Sequence, residues 1–238
     1  MRAVITFHAL ADDANVLSFP PRQFAQWVQA LARAGIPIVD YHRLQQLDHG
    51  VTFTFDDGMR SVAEHALPVL REHGARAHLF LTTGAVGGDN AWPSQPATAA
   101  RHRMLDWDDA QACAAHDLLI ESHTHSHPDL RELSEADIGA ECARADDEIE
   151  RRVGRRPRLF AYPYGQFDAR VRGAVASRYD ACFTTRMGYL SAAPDASQVP
   201  RIDAHYLRWP WAQAHCLSAR GRAYLELRGL MRLLRGTR

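Results

Sequence analysis

Seven short apolar runs, at residues 3–7, 36–39, 51–55, 77–81, 118–120, 159–162 and 181–183, alternate with segments of helix length. No other feature constrains the fold as strongly. The runs have the length of strands, while 21–34, 61–73, 106–115, 134–153 and 168–177 repeat their apolar residues at helical spacing. Pro21 marks a helix start, and Gly35 and Gly74 mark helix ends. Ser134, with Asp137 three residues on, resembles a capping box that uses Asp in place of Glu. Such an alternation predicts an α/β fold with a mainly parallel sheet or barrel, and 238 residues suffice for one core.

Two segments interrupt the pattern. Residues 84–104, with Gly87, Gly88, Pro93 and Pro96, are too long for an ordinary connection and predict a functional loop. Residues 192–211 read as irregular. Beyond them, 216–238 holds six arginines against Glu226, with Tyr224, Leu225, Leu227, Leu230, Met231, Leu233 and Leu234 interspersed. It is expected to form a basic amphipathic helix packed on the domain made by 1–215.

Charge and composition remove several function classes. The 28 basic and 28 acidic side chains cancel, so the electrostatic footprint of a nucleic-acid binder is missing. Every one of those cations is arginine, which excludes Schiff-base and amine-nucleophile chemistry and a P-loop lysine. Cys113, Cys142, Cys182 and Cys216 form no Cys-x-x-Cys pair, so they read as buried free thiols and not as a zinc knuckle or dithiol site. The N-terminal apolar stretch is too short for a signal peptide and no run is long enough to span a membrane, so the expected compartment is the cytoplasm.

Chemistry collects where the predicted strands end. Residues 51–55 run into Asp56-Asp57-Gly58, 118–122 into His123-Thr124-His125-Ser126-His127, 3–7 into His8, and 159–162 into Pro163-Tyr164-Gly165. In a parallel sheet or barrel these ends share one rim. Adjacent carboxylates point in different directions from an extended backbone, so one can bind a cation while the other stays free. Alone, Asp-Asp-Gly also reads as a plain turn. His123 and His127 are four apart and meet one metal if the segment turns helically. Two imidazoles and a carboxylate leave an open coordination position, as at catalytic zinc. His125 falls between them and takes no ligand role.

Thr54-Phe55-Asp56-Asp57-Gly58, then Ser122-His123-Thr124-His125-Ser126-His127-Pro128, then Phe160-Ala161-Tyr162-Pro163-Tyr164-Gly165 resemble, in this order, the leading motifs of the polysaccharide deacetylase family, nodulation-type chitooligosaccharide deacetylases among them. The likeness covers roughly residues 1–205. It implies a distorted (β/α)7 barrel and metal-dependent hydrolysis of an acyl group, most often N-acetyl on an amino sugar. Carried across, it makes Asp57, His123 and His127 the metal ligands, Asp56 the general base, and the Tyr164 backbone N–H an oxyanion donor. The metal is expected to be zinc, with cobalt, nickel or iron as alternatives.

Two positions depart from the family pattern. Ala161 stands where an arginine commonly orients the base, and no late Leu-x-x-His motif supplies the general acid. Phe7-His8 resembles members with a circularly permuted site, in which such a histidine is the acid. His205 and His215 are lesser candidates. Arg201 is the candidate for the orienting arginine, since a guanidinium holds a carboxylate bidentately. Trp92, Trp107, Trp209 and Trp211 offer faces for sugar rings. The expected substrate is an N-acylated amino sugar in an oligosaccharide or in a lipid- or nucleotide-linked precursor. The basic tail also suits a peripheral membrane contact. An amidase of cyclic ureides or imides and a non-catalytic carbohydrate-binding protein are the alternatives.

Overall fold

The computed structural model describes residues 1–13, 15–95 and 99–234. Pro96, residues 235–238 and the side chains of Leu233 and Leu234, all noted above, lie outside the described part. The strands are β1 (Arg2–Phe7), β2 (Ala9–Leu10), β3 (Ser18–Phe19), β4 (Gly50–Phe55), β5 (Ala77–Leu81), β6 (Leu118–Ser122), β7 (Leu159–Ala161), β8 (Ala181–Met187) and β9 (Val199–Asp203). The helices are α1 (Pro21–Arg33), α2 (Tyr41–Gln45), α3 (Leu67–Glu72), α4 (Trp107–Ala115), α5 (Glu135–Val153), α6 (Ala169–Ala176), α7 (Pro210–Ala214) and α8 (Ala219–Leu234).

Seven strands close a barrel in the order β1-β4-β5-β6-β7-β8-β9, and β9 pairs back onto β1 through Ile5–Ile202 and Thr6–Asp203. Every pairing around the ring is parallel, so all carboxyl ends lie at one rim. The fold is therefore the (β/α)7 barrel, with β2 and β3 paired separately. A large apolar cluster joins β1, β4 and β5 to α1 and reaches Cys216 and Leu225 of the C-terminal segment. Within it the Phe7 ring meets Phe19, Phe24, Phe53 and Phe55 at centroid distances of 5.2–5.4 Å.

Several local expectations need correction. Residues 36–39 form no strand: Pro37 interrupts the run, and only Ile38 bridges to Val51. The stretch read as irregular contains β9, the strand that closes the barrel. Ser134 accepts from the Asp137 N–H, but Asp137 answers through the Ser134 hydroxyl and not through its backbone. The reciprocal capping box belongs to Asp106 and Asp109 at the start of α4.

Candidate metal and catalytic site

The turn after β4 separates the two carboxylates. Asp56 is still held in the sheet, its N–H donating to the Phe7 carbonyl at 2.9 Å. Asp57 swings out with φ +72°, a left-handed conformation that Asp tolerates better than most residues. Gly58 follows at φ +97°, where a Cβ would lie 2.4 Å from Leu81. The Asp57 carbonyl then accepts from the Thr82 N–H at 3.1 Å, so both flanking strands fix the turn.

His123 and His127 reach Asp57 without a helix. The chain after β6 is a loop with Thr124 and His127 in left-handed conformations, and the His127 N–H donates to Thr124 Oγ1 at 3.1 Å. Glu141 of α5 ties the loop down from outside, accepting from the N–H groups of His125 and Ser126 and from the Ser126 hydroxyl. His125 turns away to Thr83, 2.9 Å from its hydroxyl.

The resulting cluster is Asp57, His123 and His127, all buried, with one donor atom from each lying within 4.8 Å of the others. Each Nε2 stands 3.4 Å from Asp57 Oδ1. His123 Nδ1 donates to the Ala161 carbonyl at 2.7 Å, which fixes the tautomer and leaves a lone pair on Nε2 of the neutral ring. A carboxylate oxygen facing such a lone pair is repulsive unless a proton or a metal cation lies between them. The set therefore fits a divalent metal, with two imidazoles and one carboxylate as ligands. Burial alone would raise the Asp57 carboxyl, but the hydrogen bonds of His123 and His127 and the charges of His127 and His8 outweigh it and hold the group well below its usual value. His127 makes no hydrogen bond through Nδ1. Its ring is gripped between the Trp92 indole at 4.3 Å and the Tyr164 edge at 4.6 Å, and burial lowers its pKa.

Beside this cluster, Arg201 of β9 grips Asp56 with two hydrogen bonds of 2.7 Å, NH1 to Oδ1 and NH2 to Oδ2. The guanidinium is itself buried and also donates to the Thr184 carbonyl, Thr6 Oγ1 and Thr54 Oγ1. Burial would raise the Asp56 carboxyl, yet the Arg201 charge and hydrogen bonds hold it below the ordinary value. Asp56 is thus an ionised carboxylate whose oxygens each keep a lone pair.

His8, Asp56, Asp57, His123, His127 and Tyr164 line one cleft of about 80 Å3. The candidate residues named from the sequence thus converge, with Arg201 joined to them through Asp56. His205, His215, Trp107, Trp209 and Trp211 do not line it. Sequence reasoning missed Gln95, Leu17 and Thr185 in the lining, and also the clasp that holds the Trp92 loop. Trp92 Nε1 donates to the Tyr164 hydroxyl at 3.1 Å, that hydroxyl to Ser94 Oγ at 2.8 Å, and Ser94 to the His127 carbonyl at 2.8 Å. Tyr164 and Gly165 are both left-handed, at φ +58° and +66°, and a Cβ on Gly165 would fall 2.2 Å from Thr185 Oγ1.

The family model described as polysaccharide deacetylase matches residues 45–179. The chitin deacetylase of Colletotrichum lindemuthianum is 32% identical over 149 residues, 60% of this chain and 53% of that protein. The chain spans between 31% and 66% of the length of the curated relatives it matches. Among solved structures, IcaB from Ammonifex degensii superposes with a TM-score of 0.75 at 22% identity, covering 90% of this chain and 94% of that one. The Streptococcus pyogenes deacetylase PplD, solved with acetate, gives 0.72 at 22% identity, covering 84% and 91%. At that identity the two structures speak for the barrel alone.

Proposed function

The chain belongs to the polysaccharide deacetylase family, and we propose that it is a metal-dependent hydrolase removing an N-acyl group, N-acetyl foremost, from an amino sugar in a glycan, glycolipid or glycan precursor. One observation carries the reading: a metal-fitting cluster of Asp57, His123 and His127 beside an ionised Asp56 that Arg201 holds bidentately. A binding protein has no chemical need for a charged base next to a complete ligand set.

A divalent ion held by Asp57, His123 and His127 supplies Lewis acidity to the acyl oxygen and to a water molecule, and zinc suits this donor set. The remaining steps belong to the chain. Asp56 accepts a proton from the attacking water, and Arg201 keeps its carboxylate ionised and in register. The Tyr164 N–H is assigned to the oxygen that gains charge as water adds to the acyl carbon; one such donor contributes about 3–4 kcal/mol elsewhere. His8, across the cleft, delivers a proton to the leaving nitrogen as the C–N bond breaks. Amide and water thereby become carboxylic acid and amine, and the proton left on Asp56 returns to His8 through solvent to reset the site.

The deciding experiment is acetate and formate release from N-acylated mono-, oligo-, nucleotide- and lipid-linked sugars by the zinc-reconstituted protein. Turnover should vanish on chelation, return with metal, and be absent in Asp56→Asn. Turnover of ureides or imides in place of sugars would move the substrate outside carbohydrates. Sugar binding without turnover by the metal-loaded protein would refute the hydrolase.

A further inference from the structure

The two ends of the C-terminal helix segment present the molecule's main apolar exposure. Among the described residues, the exposed large hydrophobic side chains are Met1, Val16, Trp209, Trp211, Leu227 and Leu230, so four of the six fall between 209 and 230. Trp209 is 72% exposed, Trp211 48%, Leu227 57% and Leu230 54%. Three of the four connect through Tyr224. The Trp211 ring stands 5.7 Å from that of Tyr224, and Tyr224, Leu227 and Leu230 follow at three-residue intervals along one side of α8. Gly221 and Leu225 are buried, and Tyr224 is half-buried against the core.

The same segment carries the charge. Residues 216–238 hold six arginines and one acid in a chain whose net charge is zero. Glu226 is paired to Arg222 at 2.8 Å, and Arg228 lies over the Tyr206 ring. Arg220 is exposed beside the apolar row. Next to Leu230 a groove of about 700 Å3 opens between α8 and residues 187–191, walled by Met187, Leu190, Ile202 and Leu225, with the paired Arg222 and Glu226 at its lining.

We propose that this face docks on an anionic lipid bilayer, with Trp209, Trp211, Leu227 and Leu230 entering the headgroup boundary and the exposed Arg220 meeting a lipid phosphate. The pairing of an apolar row with cationic flanks is what an interfacial helix requires, and tryptophan favours that depth. Net positive charge selects an anionic surface over a neutral one. No described helix is long and apolar enough to cross a membrane, so the contact is peripheral. This inference stands apart from the deacylase reading, because it uses none of the cleft residues.

The test is co-sedimentation of the full chain with vesicles of phosphatidylcholine alone and of phosphatidylcholine mixed with phosphatidylglycerol. Binding is expected only to the mixed vesicles and should weaken as salt rises. Leu227→Glu combined with Leu230→Glu should bind at least about ten-fold more weakly, and the milder Arg220→Gln about five-fold more weakly. Both variants should keep the wild-type melting temperature. No binding to mixed vesicles, equal binding to neutral ones, or unchanged binding by the double variant overturns the proposal. So does dimerisation without lipid that the double variant abolishes, which would make the face a contact between two copies of the chain.

Discussion

Asp56 and Arg201 are the residues on which the site's electrostatics turn, because a buried charge is tolerated only while its partner is present. Arg201→Met leaves the Asp56 carboxylate buried and unpaired, a change that typically costs about 3–5 kcal/mol. Adding Asp56→Asn removes the stranded charge, so the double variant should regain part of that loss while staying inactive. Urea unfolding of the two singles and the double measures the coupling, and a double variant no more stable than Arg201→Met would refute it. Arg201→Lys keeps the charge but loses the fork, so activity should fall while the protein stays folded. Gly165→Ala tests the backbone. It places a Cβ in a left-handed position against Thr185, and should cost about 2–4 kcal/mol from strain and overpacking together.

At the scale of elements, the loop after β5 sets what the cleft admits. Trp92 covers His127 and walls a cleft of about 80 Å3, so its indole stands where a longer acyl chain would extend. On the proposed activity, kcat/KM should drop at least about ten-fold from N-acetyl to N-butyryl substrates, and Trp92→Ala should shrink that ratio. An equal ratio in wild type and variant would remove Trp92 as the limit on acyl size. The strands that carry Asp56, Asp57, His123 and Tyr164 were legible in the sequence because each is an apolar run ending in polar residues. β9 was not, since Val199-Pro200-Arg201-Ile202-Asp203 mixes a proline and two charges into a strand whose burial comes only from closing the ring. Arg201 could therefore be suspected but not placed. Glu141 gave no signal at all: it is one acid among many on α5, and its partners are backbone N–H groups sixteen and fifteen residues away.

The whole barrel is stitched by burial, and the four thiols report on it. Cys113, Cys142, Cys182 and Cys216 are free and buried, and burial pushes each up to about 12. Tyr41, also buried, is pushed up to about 12. An unfolded thiol ionises near 8.5. Below that pH the thiols are protonated in both states and contribute no pH dependence. Above it the unfolded chain releases protons that the folded chain retains, so stability falls by about 1.4 kcal/mol per pH unit for each thiol until the folded value is reached. Tyr41 adds to the slope above about 10. The urea midpoint should accordingly be level from neutral pH to about 8 and fall steeply between 9 and 11. Ellman's reagent at pH 8 should find no reactive thiol in the native protein and four after denaturation. A cysteine that reacts in the native state would place a locally opening segment around that residue, and a midpoint independent of pH through 11 would show that the thiols ionise as readily folded as unfolded.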